Sequence, residues 1–384
     1  MTGKERVLRA LGHEEPDRVP VMEYIFEHGI IEQVLGRPSF WRGHFKEIKA
    51  YWEGRRDEVV ESQKRDVVEF TLAMGLDGVT VSMVPPEGFR LEPLQQLDER
   101  TWRDWEGNVY RYSPLTEDLV MMAPKALEPQ KPPEDLWEPP QEPDPSEFEL
   151  IDHVIRELGD THFVISRLGR RVRPPYPNPF GMEEWMMRLA EDPDGVREER
   201  IRGAEEAQRT IDAIFARGVD TVFLEADYGS STGPMMSPET FRRAILPGME
   251  VLCGHIKRHG APVIFHSCGK NRLLLDMFVE AGVDCYQSIQ PEEDIISLKR
   301  DFGDRLCLWG GINVDLLVRG TPEQVRAEVR EAILGCKEGG GFILGASHSL
   351  MAGTKAENYR EALKALEEVG WYSYESCTTI SRVR

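Results

Sequence analysis

The chain has 384 residues and a formal charge of −20 at pH 7, because 67 acidic residues outweigh 47 Lys and Arg. The basic residues are scattered and form no patch, which argues against a nucleic-acid partner. No apolar run approaches the roughly 18 residues of a membrane span, and the charged start, Met1 to Arg6, does not have the pattern of a signal peptide. We therefore expect a soluble, cytoplasmic protein without a membrane partner.

Predicted strands and helices alternate along most of the chain. A capping box at Thr2–Glu5 opens the first helix. Short apolar runs typical of strands recur near residues 19, 78, 163, 221, 263, 284, 307 and 342. Such alternation indicates a parallel sheet, and eight strands close a (β/α)8 TIM barrel. We predict an α/β fold with a single TIM-barrel domain over residues 1–384, and an open, doubly wound sheet is the alternative.

Residues 85–160 depart from this alternation. The stretch from Trp102 to Tyr112 has the pattern of a hairpin that turns at Gly107-Asn108, and residues 131–145 are rich in Pro and Glu. The whole stretch has too few apolar residues to bury a core of its own. We predict an insertion, made of a hairpin and a Pro-rich loop, between the second and third barrel strands.

His266-Ser267-Cys268-Gly269 follows an apolar run that we predict to be a barrel strand. The active sites of such barrels lie at the C-terminal ends of their strands, so this is a predicted functional position. Side chains at positions i and i+2 of an extended segment point the same way, so the His266 imidazole and the Cys268 thiol converge. Nitrogen and sulfur donors of this kind suit zinc. His348, after the last predicted strand, is the expected third ligand, which leaves one zinc position open. A hydrogen-bonded histidine beside a buried thiol is the alternative.

Other polar residues follow the predicted strands. Glu225 and Asp227 repeat the i, i+2 spacing, and we predict that one of them acts catalytically as a proton donor or a displaceable ligand. A loop cap is the alternative for Asp227. The residues predicted to contact the substrate are Glu23, Tyr228, Gln290 and Asn313. Three arginines are either an anion site or a solvated face: Arg170, Arg171 and Arg173.

Five segments, in their order along the chain, resemble the uroporphyrinogen decarboxylase superfamily: Gly12–Val21, Asp227–Ser230, His266–Gly269, Trp309–Ile312 and Gly341–His348. The resemblance covers nearly the whole chain and implies a (β/α) barrel. True decarboxylases of this superfamily carry arginines for porphyrinogen carboxylates after their Asp-Arg-Val-Pro motif. Here the matching segment, Met22–His28, is acidic and has none. The chain is more similar to the cobalamin-dependent methyltransferases, whose His-x-Cys pair binds zinc and whose coenzyme M enzymes have a Cys where His348 stands here.

This resemblance implies a zinc-dependent methyltransferase. It would move a methyl group between a small substrate, which we expect to be an O-methyl or methoxylated compound, and the cobalt of a corrinoid (cobalamin) carried by a separate protein. Zinc bound by His266, Cys268 and His348 would polarise the substrate oxygen. Two alternatives stay open: a metal-independent decarboxylase with another substrate, and a non-catalytic barrel that binds a ligand or the corrinoid protein. A homo-oligomer is also left open.

Overall fold

Strands and helices alternate through the described part of the chain, as the sequence pattern predicts. The computed structural model describes residues 1–89, 91–123, 127–128, 142–168 and 181–372. The strands are β1 (Gly78–Ser82), β2 (Gln95–Asp98), β3 (Thr101–Arg103), β4 (Val109–Ser113), β5 (Asp118–Ala123), β6 (Phe163–Arg167), β7 (Thr221–Glu225), β8 (Ile264–His266), β9 (Cys285–Ile289), β10 (Cys307–Ile312) and β11 (Phe342–Ala346).

The helices pack around these strands. They are α1 (Gly3–Leu11), α2 (His28–Leu35), α3 (Phe45–Trp52), α4 (Arg56–Met74), α5 (Glu149–Leu158), α6 (Met182–Glu191), α7 (Pro193–Phe215), α8 (Pro238–Ala244), α9 (Leu246–Arg258), α10 (Leu275–Ala281), α11 (Ile295–Phe302), α12 (Val314–Arg319), α13 (Pro322–Cys336) and α14 (Ala356–Val369). Not one of the helices that the structure describes combines the length and the apolar character needed to cross a membrane.

Seven strands form one parallel sheet, in the order β1-β6-β7-β8-β9-β10-β11. The segment before β1 contacts both edge strands. The Met22 N–H donates to the Leu344 carbonyl of β11 (3.0 Å), and the Asp77 N–H donates to the Val21 carbonyl (2.8 Å). Pro20 has no N–H for a ladder, so the strand predicted near residue 19 is reduced to one parallel bridge between Val21 and Leu344. The α/β class is confirmed, and the sheet has seven strands where eight were predicted.

Helix α1 covers one end of the inner face of the sheet. Its Lys4 N–H donates to the Thr161 carbonyl before β6, and the Gly341 N–H before β11 donates to the Ala10 carbonyl (2.9 and 3.1 Å). These bonds put α1 where the strands begin, an end that we call the base. The opposite end, where the strands finish, we call the rim. A small apolar core fills the space between α1 and the sheet, and it includes Val7, Phe163, Phe223, Ile264 and Trp309.

An ion-pair network closes the base. Asp77 accepts from Arg6 Nη1 (2.9 Å), from Arg18 Nη2 (2.8 Å) and from the Val21 N–H (2.8 Å). Arg6 Nε also donates to Asp17 (2.6 Å). Although burial opposes it, the hydrogen bond from Arg6 lowers the pKa of Asp17 to about 2. The Asp-Arg-Val-Pro segment, which carries part of the family resemblance, therefore acts structurally by joining α1 to the start of β1.

The segment between β1 and β6 contains a second, antiparallel sheet, in the order β2-β3-β4-β5. Trp102 of β3 pairs with Tyr110 of β4 across the turn at Gly107, where a hairpin was predicted. The Trp102 ring also packs on Phe45 of α3, with ring centroids 5.0 Å apart. This sheet is therefore attached to the helices before β1. Residues 131–141 of the predicted Pro-rich loop, which was expected over 131–145, lie outside the described residues.

Candidate active site

Two loops cross at the rim, one after β7 and one after β8. The Gly229 N–H donates to the Cys268 carbonyl (3.1 Å), and the Lys270 N–H donates to the Ser230 carbonyl (2.8 Å). Gly269 has a φ of +76°, and a Cβ on it would overlap the Gly229 backbone. Both positions therefore need glycine, and their close approach brings the loop that carries Asp227 against the turn that carries Cys268.

Asn271 holds the turn after β8 in place. Its side chain is fully buried, and its Nδ2 lies within hydrogen-bond distance of the carbonyl oxygens of Ser267 (3.1 Å), Cys268 (2.9 Å) and Gly269 (2.9 Å). Buried carbonyl groups are costly to leave unpaired, so this amide stabilises one conformation of the turn. The direction of the Cys268 side chain is set by that conformation.

Three potential metal ligands converge where the loops cross. One ligand atom each from Asp227, His266 and Cys268 lies within 4.8 Å of the others. His266 Nε2 is 3.2 Å from Cys268 Sγ and 3.6 Å from Asp227 Oδ1. His266 Nδ1 bonds Gln287 Oε1 of β9, and since an amide oxygen only accepts, Nδ1 carries the proton and Nε2 keeps its lone pair. This set of nitrogen, sulfur and oxygen donors fits a zinc ion.

Burial controls the protonation of these ligands. It lowers the pKa of His266 even though Asp227 opposes the shift, so the imidazole is neutral near pH 7. Burial, and next the negative charge of Asp227, raises the pKa of the Cys268 thiol well above its ordinary value. A divalent cation at this point would reverse the second effect, because thiolate coordination releases the thiol proton. The cluster is therefore suited to gain a cation and lose a proton.

His348 lies next to this cluster but outside it. Its ring centroid is 6.1 Å from that of His266, the two rings are inclined at 71°, and its Nδ1 is 3.4 Å from the Ser349 carbonyl oxygen. The three-ligand group that the structure brings together contains Asp227 in the place predicted for His348. Coordination by His348 stays a prediction.

Glu225 forms an ion pair with an arginine of the neighbouring strand. Arg167 Nε and Nη2 donate to its two carboxylate oxygens at 2.6 and 2.9 Å. The Arg167 guanidinium also lies 5.4 Å from the centroid of the Tyr24 ring, which stacks on His266 at 4.5 Å. Glu225 and Arg167 thus support the ring that covers one face of the His266 imidazole. A proton-transfer role for Glu225 stays a prediction.

Glu23 is buried behind the rim. Its carboxyl accepts the Ala346 N–H (2.8 Å) and the Tyr359 hydroxyl (2.8 Å). Burial raises the pKa of Glu23 to about 8, against the effect of those two hydrogen bonds. The carboxyl therefore links β11 to α14. Its predicted contact with a substrate remains open because it also lines a cavity described below.

The other predicted substrate contacts have structural neighbours. The Tyr228 ring packs 5.1 Å from the Phe241 ring, in the layer between the sheet and the helices. Gln290 Oε1 accepts the Gly269 N–H (3.0 Å), and Asn313 Oδ1 caps α12 by accepting the Asp315 N–H (3.0 Å). The structure does not bring Tyr228 or Asn313 together with the ligand cluster. Arg170, Arg171 and Arg173 lie outside the described residues.

A cavity of about 120 Å³ borders the site on the side of Tyr24. Arg42 and Arg167 line it, together with Glu23 and Gln63. The Arg42 Nε is buried, and in the described ranges it has no hydrogen-bond acceptor. Sequence reasoning missed Arg42. No motif or spacing around it in the sequence indicates that its side chain reaches the rim from the segment before α3. It also missed Gln287 and Tyr24, although the pairing of β8 with β9 places Gln287 beside His266.

Parts of the chain resemble known proteins. Residues 180–369 match the family described as uroporphyrinogen decarboxylase (URO-D). A methylated-thiol:coenzyme M methyltransferase of Methanosarcina mazei is 30% identical over 188 residues, which cover 46% of this chain and 49% of that protein. A uroporphyrinogen decarboxylase of Shewanella loihica is 23% identical over 163 residues, which cover 41% and 44%. The chain thus spans about half the length of the curated relatives it matches.

The fold is also shared with a solved structure. A methyltransferase from Methanosarcina mazei superimposes with a TM-score of 0.63, at 18% identity, over 96% of this chain and 99% of that one. At this identity the likeness concerns the fold. The resemblance that the motifs predicted is confirmed: residues 180–369 match the uroporphyrinogen decarboxylase family, and the relatives that the chain resembles include a methyltransferase.

Proposed function

We propose that this protein is a zinc-dependent methyltransferase, which moves a methyl group between a small methylated compound and the cobalt of a corrinoid carried by a separate protein. One observation carries the proposal: Asp227, His266 and Cys268 each direct a potential metal ligand to the same point at the rim. Similarity to a methylated-thiol:coenzyme M methyltransferase supports the reaction class.

The residues around this point have distinct tasks. Bound zinc supplies Lewis-acid chemistry toward a substrate oxygen or sulfur. His266 Nε2 and Cys268 Sγ would hold the metal, and the hydrogen bond from His266 Nδ1 to Gln287 keeps the imidazole oriented. Asp227 either completes the ligand set or orients the leaving heteroatom. Tyr24 shields one face of the imidazole from water.

The cavity beside Tyr24 favours a small substrate with an anionic end. Its volume of about 120 Å³ suits a compound of a few heavy atoms. Arg42 contributes a buried guanidinium nitrogen that has no acceptor in the described part of the chain. Because a buried, unpaired donor is unfavourable, a carboxylate or a similar group bound there would stabilise Arg42. The methyl group would then face the ligand cluster past Tyr24.

The test is an absorbance assay with a Co(I) corrinoid and a panel of methoxylated, methylthio and methylamine compounds. We expect methyl–cobalt to form with at least one O-methyl or S-methyl compound, and purified protein to hold stoichiometric zinc. His266→Ala and Cys268→Ala should lose both properties. Cys336→Ala is the matched control, because its thiol is buried beside α11, away from the cluster, and it should retain zinc and activity.

The same variants separate the alternatives. Wild-type decarboxylation by His266→Ala and Cys268→Ala, without stoichiometric zinc in the parent protein, would contradict the methyltransferase proposal and support a metal-independent decarboxylase. Tight binding of a corrinoid protein by both variants, with no methyl transfer by the parent protein, would support a non-catalytic barrel.

A further inference from the structure

A second group of potential metal ligands lies in the part of the chain before β1, on residues separate from the Asp227, His266 and Cys268 cluster. One ligand atom each from Glu27, His28 and His44 lies within 4.8 Å of the others. Glu27 Oε1 is 2.5 Å from His28 Nδ1 and 3.0 Å from His44 Nε2. We propose that these residues form a second site for a divalent transition-metal cation, such as Zn²⁺, with two imidazoles and one carboxylate as ligands.

The outer nitrogen of each imidazole supports this assignment. His28 Nε2 is 3.1 Å from a Glu117 carboxylate oxygen, and His44 Nδ1 is 3.1 Å from an Asp118 carboxylate oxygen. Histidines that bind metals usually donate their second N–H to a carboxylate, which fixes the ring and strengthens the ligand. Both histidines have this arrangement, so a cation that displaces the protons now shared with Glu27 would find the inner nitrogen of each ring directed toward it.

The backbone gives an independent indication. His44 and Glu117 have φ angles of 49° and 50°, in the left-handed region that residues other than glycine seldom adopt. The Phe45 N–H donates to the Glu117 carbonyl (3.1 Å), so the two unusual positions are joined. Unfavourable backbone conformations tend to persist where they position a functional group. Here they bring the two segments together, so that His44 reaches Asp118 and Glu117 reaches His28.

The site would join separate parts of the chain. Glu27 and His28 are at the start of α2, and both are buried. His44 precedes α3, whereas Glu117 ends the turn between β4 and β5 of the antiparallel sheet and Asp118 begins β5. A cation bound here would therefore fix that sheet against the helices, near the segment whose Arg42 lines the cavity.

A third histidine group serves as a comparison. Asp212, His255 and His259 also offer ligand atoms within 4.8 Å, but Asp212 and His259 are exposed. His255 Nδ1 faces the Arg258 guanidinium at 2.5 Å, which is a cation where a metal-binding histidine would have a carboxylate. The outer contacts thus distinguish this surface group from the one formed by Glu27, His28 and His44.

The experiment is a Co²⁺ titration of full-length protein from which metals have been removed by a chelator. The double variant His266→Ala/Cys268→Ser isolates the second site, so the result does not depend on the proposed active site. We expect this variant to bind one Co²⁺ per chain, with visible bands but no near-ultraviolet band from cysteine ligation. Adding His44→Gln should abolish binding, whereas adding His259→Gln should leave it unchanged.

A second variant tests the proposal even if His44→Gln impairs folding. Glu117→Gln keeps all three ligands and weakens only the outer contact of His28, so we expect Co²⁺ affinity to fall by about 10- to 100-fold with the circular dichroism spectrum unchanged. If the double variant binds no Co²⁺, Glu27, His28 and His44 form a hydrogen-bonded network without a metal, and the proposal is overturned. Binding that persists after His44→Gln would overturn it as well.

Discussion

Carboxyl groups at the two ends of the sheet have opposite surroundings. At the base, Asp17 accepts from Arg6, and its pKa falls to about 2. At the rim, Glu23 is fully buried with a backbone N–H and a hydroxyl as its donors, and its pKa rises to about 8. The base is therefore a completed ion-pair network that holds the fold together. The rim contains groups whose protonation can change, which is what metal binding and proton transfer require.

The largest expected effect is at the base. Asp77→Asn removes the charge that faces both Arg6 and Arg18, and breaking a buried pair in this way costs about 3–5 kcal/mol of unfolding free energy. Urea unfolding measures the loss. Asp304→Asn is the control, since its contact with Arg305 is at the surface and should contribute less than about 1 kcal/mol. Equal effects of the two substitutions would contradict the contrast between base and surface.

The second prediction concerns the pH dependence caused by Glu23. Its folded pKa, about 8, lies above its ordinary value, so its contribution to stability is complete below about pH 4.5 and is lost as the pH rises toward 8. Relative to Glu23→Gln, the parent protein should lose on the order of 3 kcal/mol between pH 5 and 7.5. Urea unfolding at several pH values checks this, and parallel profiles for the two proteins would show that Glu23 titrates normally.

The third prediction compares the two candidates for the third ligand. If Asp227 completes the cluster, Asp227→Asn should weaken zinc binding by more than about 100-fold, since even a supporting residue outside the ligand set is worth 10- to 100-fold. His348→Ala should then have a smaller effect, because its ring lies outside the group of converging atoms. Competition with a chromophoric chelator measures both affinities. The reverse order would restore His348 as the ligand.

The smallest expected effect is at the turn after β8. Asn271→Leu removes the amide that faces three carbonyl groups of the turn, which should cost about 1–3 kcal/mol of unfolding free energy. Zinc affinity should fall as well, because the direction of Cys268 depends on this turn. Asn313→Ala is the matched control: it removes a helix cap and a long contact with Glu328 (3.4 Å), so it should cost about 1 kcal/mol and leave zinc affinity unchanged. Unchanged zinc affinity in Asn271→Leu would show that the turn is rigid without the amide.

Local patterns predicted part of the candidate site. The i, i+2 spacing after β8 placed His266 and Cys268 on one side, and the structure has their nitrogen and sulfur 3.2 Å apart. Tyr228 was predicted to contact the substrate, and in the structure its ring packs on that of Phe241, a contact between distant segments that local spacing does not predict. Asn313 also stands at a strand end, but a helix begins directly after it, and its side chain serves as the cap.

By itself the sequence predicted the α/β class, the recurrence of parallel strands, the family resemblance and the His266–Cys268 pair. These features depend on periodicity and on residues close together in the chain. Only the tertiary structure decided that Asp227 joins the pair, that Arg42 reaches the cavity, and that His28 and His44 share Glu27. Such contacts depend on how loops cross and helices pack, and the spacing of residues along the chain carries no information about that geometry.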